Sequence, residues 1–194
     1  MYPAGAIAFH PESAPLAFIC ESGLVRAYWY VLDGRQATLA FGRANELVGA
    51  TTIASQAPRV FVQTVVESVL TTLDVEIVRN LARTELEVVA AIATHLSARV
   101  RDAFGVIAVR SLGNIRERLS FDLLERACQS QLAVGRLEVR ATHTDLANSI
   151  GSAREVVSRG LSGLRDAGII ETGPGLVRVV DPIRLATIVR SFVI

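Results

Sequence analysis

The sequence predicts an α+β protein in three successive blocks: a roll of short strands, one long helix, and a small helical module closed by a β wing. Three observations predict it. Up to about residue 74, short β-branched and aromatic runs are punctuated by Gly, Pro and Asp, the pattern of antiparallel strands joined by turns. From about residue 85 to 110 Pro is absent, Gly105 is the one glycine, and apolar residues recur at helical steps. Beyond residue 139, two short capped helical patterns flank a glycine, and a turn-linked pair of apolar runs follows. The expected boundaries are 1–83, 84–111 and 112–194.

In the first block, Leu24-Val25-Arg26-Ala27-Tyr28-Trp29-Tyr30-Val31 suits a strand, Asp33-Gly34 supplies a hairpin turn, and Ala37 to Phe41 is the returning strand. Val60 to Val66 and Ser68 to Leu73 give two more strands after Pro58. Such spacing suits a small barrel or roll.

In the second block Val89, Ala93, Leu96, Val100, Ala103 and Ile107 are separated by alternating steps of four and three, the spacing of a coiled-coil seam. A helix packed on its own domain also shows such a stripe, but the length of this one favours a partner helix and hence a dimer. Gly105 is expected to act as a hinge near the distal end. A further helix from roughly Leu112 to Cys128 carries Ile115, Leu119, Leu123, Leu124 and Ala127 on one side, and Gly135 marks the loop after it.

The third block holds the residues that carry chemistry. Thr142 is placed to cap a helix, with Asp145 three residues on to answer it. Leu146 and Ile150 bury one side, Gly151 turns the chain at positive φ, and Ser152 is expected to cap a second helix. Val156, Val157, Leu161 and Leu164 form the buried side of that helix, which Ala167-Gly168 ends. Ile169 to Glu171 and Leu176 to Val180, joined by Thr172-Gly173-Pro174-Gly175, read as a two-stranded wing. Arg154, Glu155, Ser158 and Arg159 then share one exposed face in the first turns of the second helix. This is the layout of a helix-turn-helix reading base edges in the DNA major groove. Arg bonds guanine O6 and N7 in parallel, Glu accepts from cytosine N4, and Ser is adaptable. Glu155 has a second reading, because with Ser152 it completes a Ser-x-x-Glu capping box.

Composition bounds the function. With 194 residues and 51% hydrophobic, the chain can bury a sizeable core, and no apolar run is long enough to span a membrane. The start, Met1 to Gly5, has no basic segment leading into an apolar one, so a cytoplasmic protein without a secretory signal is expected. Cys20 and Cys128 match no metal or redox spacing and are expected to be buried thiols. All 20 basic residues are Arg, which suits nucleic-acid contacts and also follows from a genome biased toward Arg codons. A net charge of +1 means that any DNA-directed potential must be local and doubled by dimerisation. From Arg136 onward eight Arg face six carboxylates.

These residues resemble the CRP/FNR family of bacterial transcription regulators. The resemblance is most specific at Gly151-Ser152-Ala153-Arg154-Glu155-Val156-Val157-Ser158-Arg159, Leu164, Gly168-Ile169-Ile170 and Asp181-Pro182. Tyr2-Pro3-Ala4-Gly5, Ser22 to Arg26, Asp33-Gly34-Arg35 and Leu47-Val48-Gly49 look like the family's effector roll, related to cyclic-nucleotide-binding domains. The N-terminus starts later than is usual there, so a leading element is expected to be absent. The resemblance implies a homodimer on a two-fold symmetric site in double-stranded DNA, with the long helix as dimer helix and RNA polymerase as a further partner. It places Glu155 and Arg159 on the core of each half-site. Ser158 resembles the FNR branch with TTGA-type half-sites, Arg154 the CRP branch with TGTGA.

The chain departs from the family where cyclic nucleotide is held. The ribose-binding Gly-Glu pair is here Gly49-Ala50, without the carboxylate. The phosphate-binding Arg is followed by no hydroxyl, since the slot reads Pro58-Arg59-Val60. An effector other than cyclic AMP is therefore expected, an unknown small molecule or none, and a cyclic-nucleotide sensor with a rearranged pocket is the alternative. No cofactor or metal is expected: two cysteines cannot hold an iron–sulfur centre, and His10 and His95 stand as single histidines. An enzyme is not expected. A cupin-like small-molecule-binding protein would need clustered ligands, whereas His10, His95 and His143 are scattered. A protein-interaction module with a structural winged helix predicts no DNA affinity.

Overall fold

The computed structural model describes residues 1–12, 16–30, 36–54 and 60–190, and it divides into two compact units, Met1–Ala103 and Phe104–Ile194. The first contains β1 (Ile7–Phe9), β2 (Leu16–Ser22), β3 (Leu24–Tyr30), β4 (Gln36–Arg43), β5 (Glu46–Val48), α1 (Ala50–Ala54), β6 (Phe61–Thr64), β7 (Val69–Asp74) and α2 (Val75–Thr84). The long helix α3 (Leu86–Leu112) runs through the division. After it come α4 (Ile115–Val134), β8 (Glu138–Arg140), α5 (His143–Ile150), α6 (Arg154–Asp166), β9 (Ile170–Gly173), β10 (Leu176–Val179) and α7 (Pro182–Arg190).

The first unit is a roll of two antiparallel sheets, ordered β1-β6-β3-β4 and β5-β2-β7. Phe9, Val25 and Val62 from one sheet meet Phe18, Cys20, Val48 and Leu70 from the other, so the core lies between inner faces. β3 and β4 pair as expected through Trp29↔Ala37 and Tyr30↔Gln36, while the expected turn at Asp33-Gly34 lies outside the described residues. Arg26 is fully buried on β3. Its Nε donates to Thr38 Oγ1 at 2.8 Å, its Nη1 donates to Gln36 Oε1 at 2.8 Å, and its guanidinium sits 4.5 Å from the Tyr28 ring centre. Such partners are what a strand must supply to take a cation out of water.

α1 departs from the strands expected up to residue 74, and α2 fills the stretch between them and the helix expected from 85, for which no element was expected. Short α1 follows Gly49. In α2, Asp74 accepts from the amides of Glu76 and Ile77 at 2.9 and 3.1 Å, starting a helix although Val75, Ile77 and Val78 are β-branched.

α3 is continuous through Gly105, and the division between the two compact units falls close to that glycine, between Ala103 and Phe104. The break comes later, so Leu112 ends α3 instead of opening the next helix. Gly113 is required there, because a Cβ would lie 2.4 Å from the Val109 carbonyl oxygen. Asn114 then caps α4 through a reciprocal box with Glu117. The face expected to be buried is: Leu119, Leu123, Leu124 and Ala127 are inaccessible, Ile115 is half-buried, and Gly135 closes the helix in the left-handed region.

In the second unit the wing has a third strand. β8 pairs with β10, which pairs with β9, giving the order β8-β10-β9. At three residues, β8 is too short to show alternation in the sequence. The unexpected α7 begins on Pro182, whose missing N–H costs nothing at a first helical position, and buries Leu185, Ala186 and Val189. Val189 packs with Val109 and Phe121. Both cysteines are buried and unbridged. Among the described residues, no helix is long and apolar enough to cross a membrane.

Candidate nucleic-acid interface

The helix-turn-helix is built locally. Thr142 caps α5: its Oγ1 accepts from the Asp145 amide at 3.1 Å, and the Thr142 amide and hydroxyl donate to Asp145 Oδ2 at 2.8 and 2.7 Å. These donors favour the ionised carboxylate, so the Asp145 pKa lies below its ordinary value of 3.8, the Thr142 hydroxyl being the main cause and its amide the second. Gly151 takes φ +62°, the left-handed conformation that closes α5.

That turn overturns the expected cap at Ser152. The Ser152 amide donates to the Ala147 carbonyl at 2.9 Å and the Gly151 amide to Asn148, a Schellman closure that makes Ser152 part of the end of α5. The N-cap of α6 is Ala153, with no side-chain cap, so the Ser152–Glu155 capping box is absent. Glu155 is left with its carboxylate exposed. Leu146 and Ile150 of α5 and Val157, Leu161 and Leu164 of α6 are buried, with Val156 half-buried.

Arg154, Glu155 and Arg159 are exposed and Ser158 is half-buried, all within the first two turns of α6. Among the described residues none makes a hydrogen bond or ion pair with the side chain of Arg154, Glu155 or Arg159. Other arginines of the unit are tied down: Arg126 to Asp122 at 2.8 Å, Arg165 to Asp166 at 3.1 Å, Arg178 to Glu138 and Glu171 at 3.2 and 3.1 Å. The α6 face thus holds two guanidinium forks and a carboxylate with their hydrogen-bonding groups unused.

Ser158 differs from its neighbours. Its hydroxyl donates to the Arg154 carbonyl at 2.9 Å and lies 2.7 Å from His143 Nδ1 at the start of α5. No local spacing pairs residues fifteen apart, and only the crossing of the two helices brings them together.

The seam residues all lie on α3. Val89, Ala93, Val100, Ala103 and Ile107 are exposed, at 42% for Val89, 53% for Val100 and 60% for Ile107, and Leu96 is half-buried. Phe104, 65% exposed, joins the stripe one residue beyond Ala103, where the strict spacing does not place it. Another face of the helix packs on the roll: Ile92 meets the cluster of Ala17, Ile53 and Val75, and Arg99 bonds Glu46 at 3.1 Å and Asp102 at 2.8 Å. Burial, and next the Arg99 charge, lower the His95 pKa from 6.5.

Gly49, Ala50 and Val60 line a cavity of about 210 Å³ in the roll, and Arg59 lies outside the described residues. The walls are mainly Phe9, Phe18, Val25, Leu39, Leu47 and Val62, with Thr51, Thr52 and Arg99 as polar members. Sequence reasoning missed Arg99, although 92, 95, 99 and 102 share one helical face distinct from the seam. Among the described residues no three His, Cys, Asp or Glu side chains gather as metal ligands.

Residues 117–188 match the Crp-like helix-turn-helix domain. The chain is 31% identical over 181 residues to the Cyclic AMP receptor protein of Thermus thermophilus, covering 92% of this chain and 82% of that protein. It is 27% identical over 178 residues to Transcriptional regulator SdrP of the same organism, covering 88% and 82%. Its fold is shared with the crystal structure of a CRP-family transcriptional regulator, also from Thermus thermophilus, with a TM-score of 0.58, 24% identity and coverage of 100% and 97%. With the roll, the winged module and these relatives together, the chain belongs to the CRP/FNR family and is a DNA-binding transcription regulator.

Proposed function

We propose that the protein works as a homodimer that reads a two-fold symmetric duplex through α6, in three functional parts: an effector roll over 1–83, a dimer helix over 84–111 and a DNA-binding module over 112–194. The observation that carries this reading is the unpaired state of Arg154, Glu155 and Arg159 among the described residues, on one exposed face. An exposed carboxylate flanked by two guanidinium groups, each without an internal partner there, offers what guanine and cytosine edges require. Glu155 and Arg159 then read the core of each half-site, and Arg154 and Ser158 set the flanking preference. Thr142 serves by holding the start of α5, its hydroxyl being engaged with Asp145. Ser152 serves by shaping the turn. The exposed stripe from Val89 to Ile107 supports α3 as the dimer helix, whose two copies place the modules one helical turn apart on the duplex.

Among the described residues, the lining of the roll's cavity favours a small apolar effector over cyclic AMP. A cyclic phosphate needs a guanidinium and hydrogen-bond donors together. Here Ala50 brings no carboxylate for a ribose, and Arg99 is engaged by Glu46 and Asp102. The relative named as a cyclic AMP receptor makes that nucleotide the competing occupant. Calorimetric titration with cyclic AMP and cyclic GMP decides between them, with no heat of binding expected. Binding from a random duplex pool tests the main reading: a palindromic sequence should emerge with wild-type protein. Arg159→Ala should lose the preference and keep weak, salt-sensitive binding. Failure of the wild type to enrich any sequence overturns the proposal.

A further inference from the structure

Ser158 cannot address a base with its full hydrogen-bonding repertoire. A serine hydroxyl has one proton and two lone pairs. The proton is donated to the Arg154 carbonyl, 2.9 Å away, so Ser158 Oγ has no second proton for the His143 ring. The 2.7 Å contact with Nδ1 therefore runs the other way, with the imidazole carrying its hydrogen on Nδ1 and donating to Ser158 Oγ. One lone pair remains. We infer that His143 is a specificity-determining residue which, by donating to Ser158, locks the hydroxyl proton on the Arg154 carbonyl and so leaves that serine an acceptor-only reader of exocyclic amines, adenine N6 or cytosine N4.

The inference rests on the reading of α6 as the base-reading helix and deepens it. His143 is a positioning residue. It acts through Ser158, and the capping box at Thr142 and Asp145 fixes the backbone from which it reaches α6. Without the imidazole N–H, nothing blocks rotation of the hydroxyl, whose proton can then leave the Arg154 carbonyl and turn toward thymine O4 or guanine, and discrimination at that base pair falls.

The test has two arms. In the first, bound sequences are selected from random duplexes with wild type, Ser158→Ala, His143→Ala and His143→Asn. Ser158→Ala identifies the base-pair position that this serine reads. His143→Ala should reduce the preference at that same position by roughly threefold to tenfold, the range that one hydrogen bond commands, and leave the others unchanged. His143→Asn, whose side-chain amide stands where Nδ1 was, should restore the preference. In Ser158→Ala, adding His143→Ala should change nothing further at that position. A uniform loss of affinity at every position, or no change with His143→Ala, overturns the inference, as does a Ser158→Ala selection identical to wild type. In the second arm, long-range proton–nitrogen NMR of the free wild-type protein with its rings neutral should show His143 with hydrogen on Nδ1, and a rise of the Nε2–H form in Ser158→Ala. An Nε2–H ring in wild type overturns the pairing even if no duplex binds. A wild type that shows the Nδ1–H form and selects no sequence instead sinks the DNA-reading assignment.

Discussion

Asp145 holds the start of α5 by accepting from both the amide and the hydroxyl of Thr142, at 2.8 and 2.7 Å. It lies three residues from Thr142, within reach of helical spacing, so the pair of reciprocal bonds was readable as a pattern. Ser158 and His143 were not so readable: their contact spans fifteen residues and depends on how α5 and α6 cross. Ser152 misled for a related reason. A serine after a glycine reads as a cap, but its amide was already required by the Ala147 carbonyl, which shifted the start of α6 by one residue. The Asp145 bonds also predict a pH dependence. Its folded pKa is depressed below 3.8, so the stability it brings is present above that value and is lost as pH falls through the lower, folded value. Asp145→Ala should therefore lower the melting temperature at neutral pH. The gap between variant and wild type should stay level through the mildly acidic range and close only below 3.8. Calorimetric scans across pH check this; a gap that does not change with acid would mean that the side chain stabilises α5 by packing, not by its charge.

At the scale of elements, legibility followed how far a pattern persists. α3 showed many turns of one stripe and α4 a clear apolar side, and both stand close to where periodicity placed them. α2 begins in β-branched residues straight after β7, where strand and helix patterns coincide over a few residues, and α7 lies beyond the wing with only Pro182 to announce it. The exposed face of α3 makes its own prediction. Ile107, 60% exposed, can become Glu with little effect on the fold of one chain, whereas a pair of α3 helices joined through the seam would bring two such carboxylates together. Ile107→Glu should sediment as a monomer with wild-type melting behaviour at low concentration. Leu96→Glu should split the dimer too, with some loss of stability because Leu96 is half-buried in each chain. If both variants sediment as the wild type does, α3 is not the dimer helix.

Taken whole, the molecule has little net charge but an uneven distribution of it. Residues 1–103 carry eight Arg and ten carboxylates, and residues 104–194 carry twelve Arg and nine. The near-neutral total of +1 therefore hides a mildly basic unit joined to a mildly acidic one. Part of that basic charge is neutralised within the unit, since Arg126, Arg165, Arg178 and Arg184 face carboxylates, and Arg154 and Arg159 are among those left for DNA. A few phosphate contacts per module give a shallow salt dependence, because each neutralised phosphate adds roughly 0.9 to the slope of log affinity against log salt. Two modules on one duplex double it. The monomeric Ile107→Glu protein should accordingly bind with about half the wild-type slope. Arg159→Ala should keep nearly the full slope while losing sequence preference, since the contact removed is to a base. Fluorescence anisotropy on one palindromic duplex between low and moderate salt measures all three. Equal slopes for Ile107→Glu and wild type would mean that one module alone engages the duplex, and the two-fold symmetric reading would fall with them.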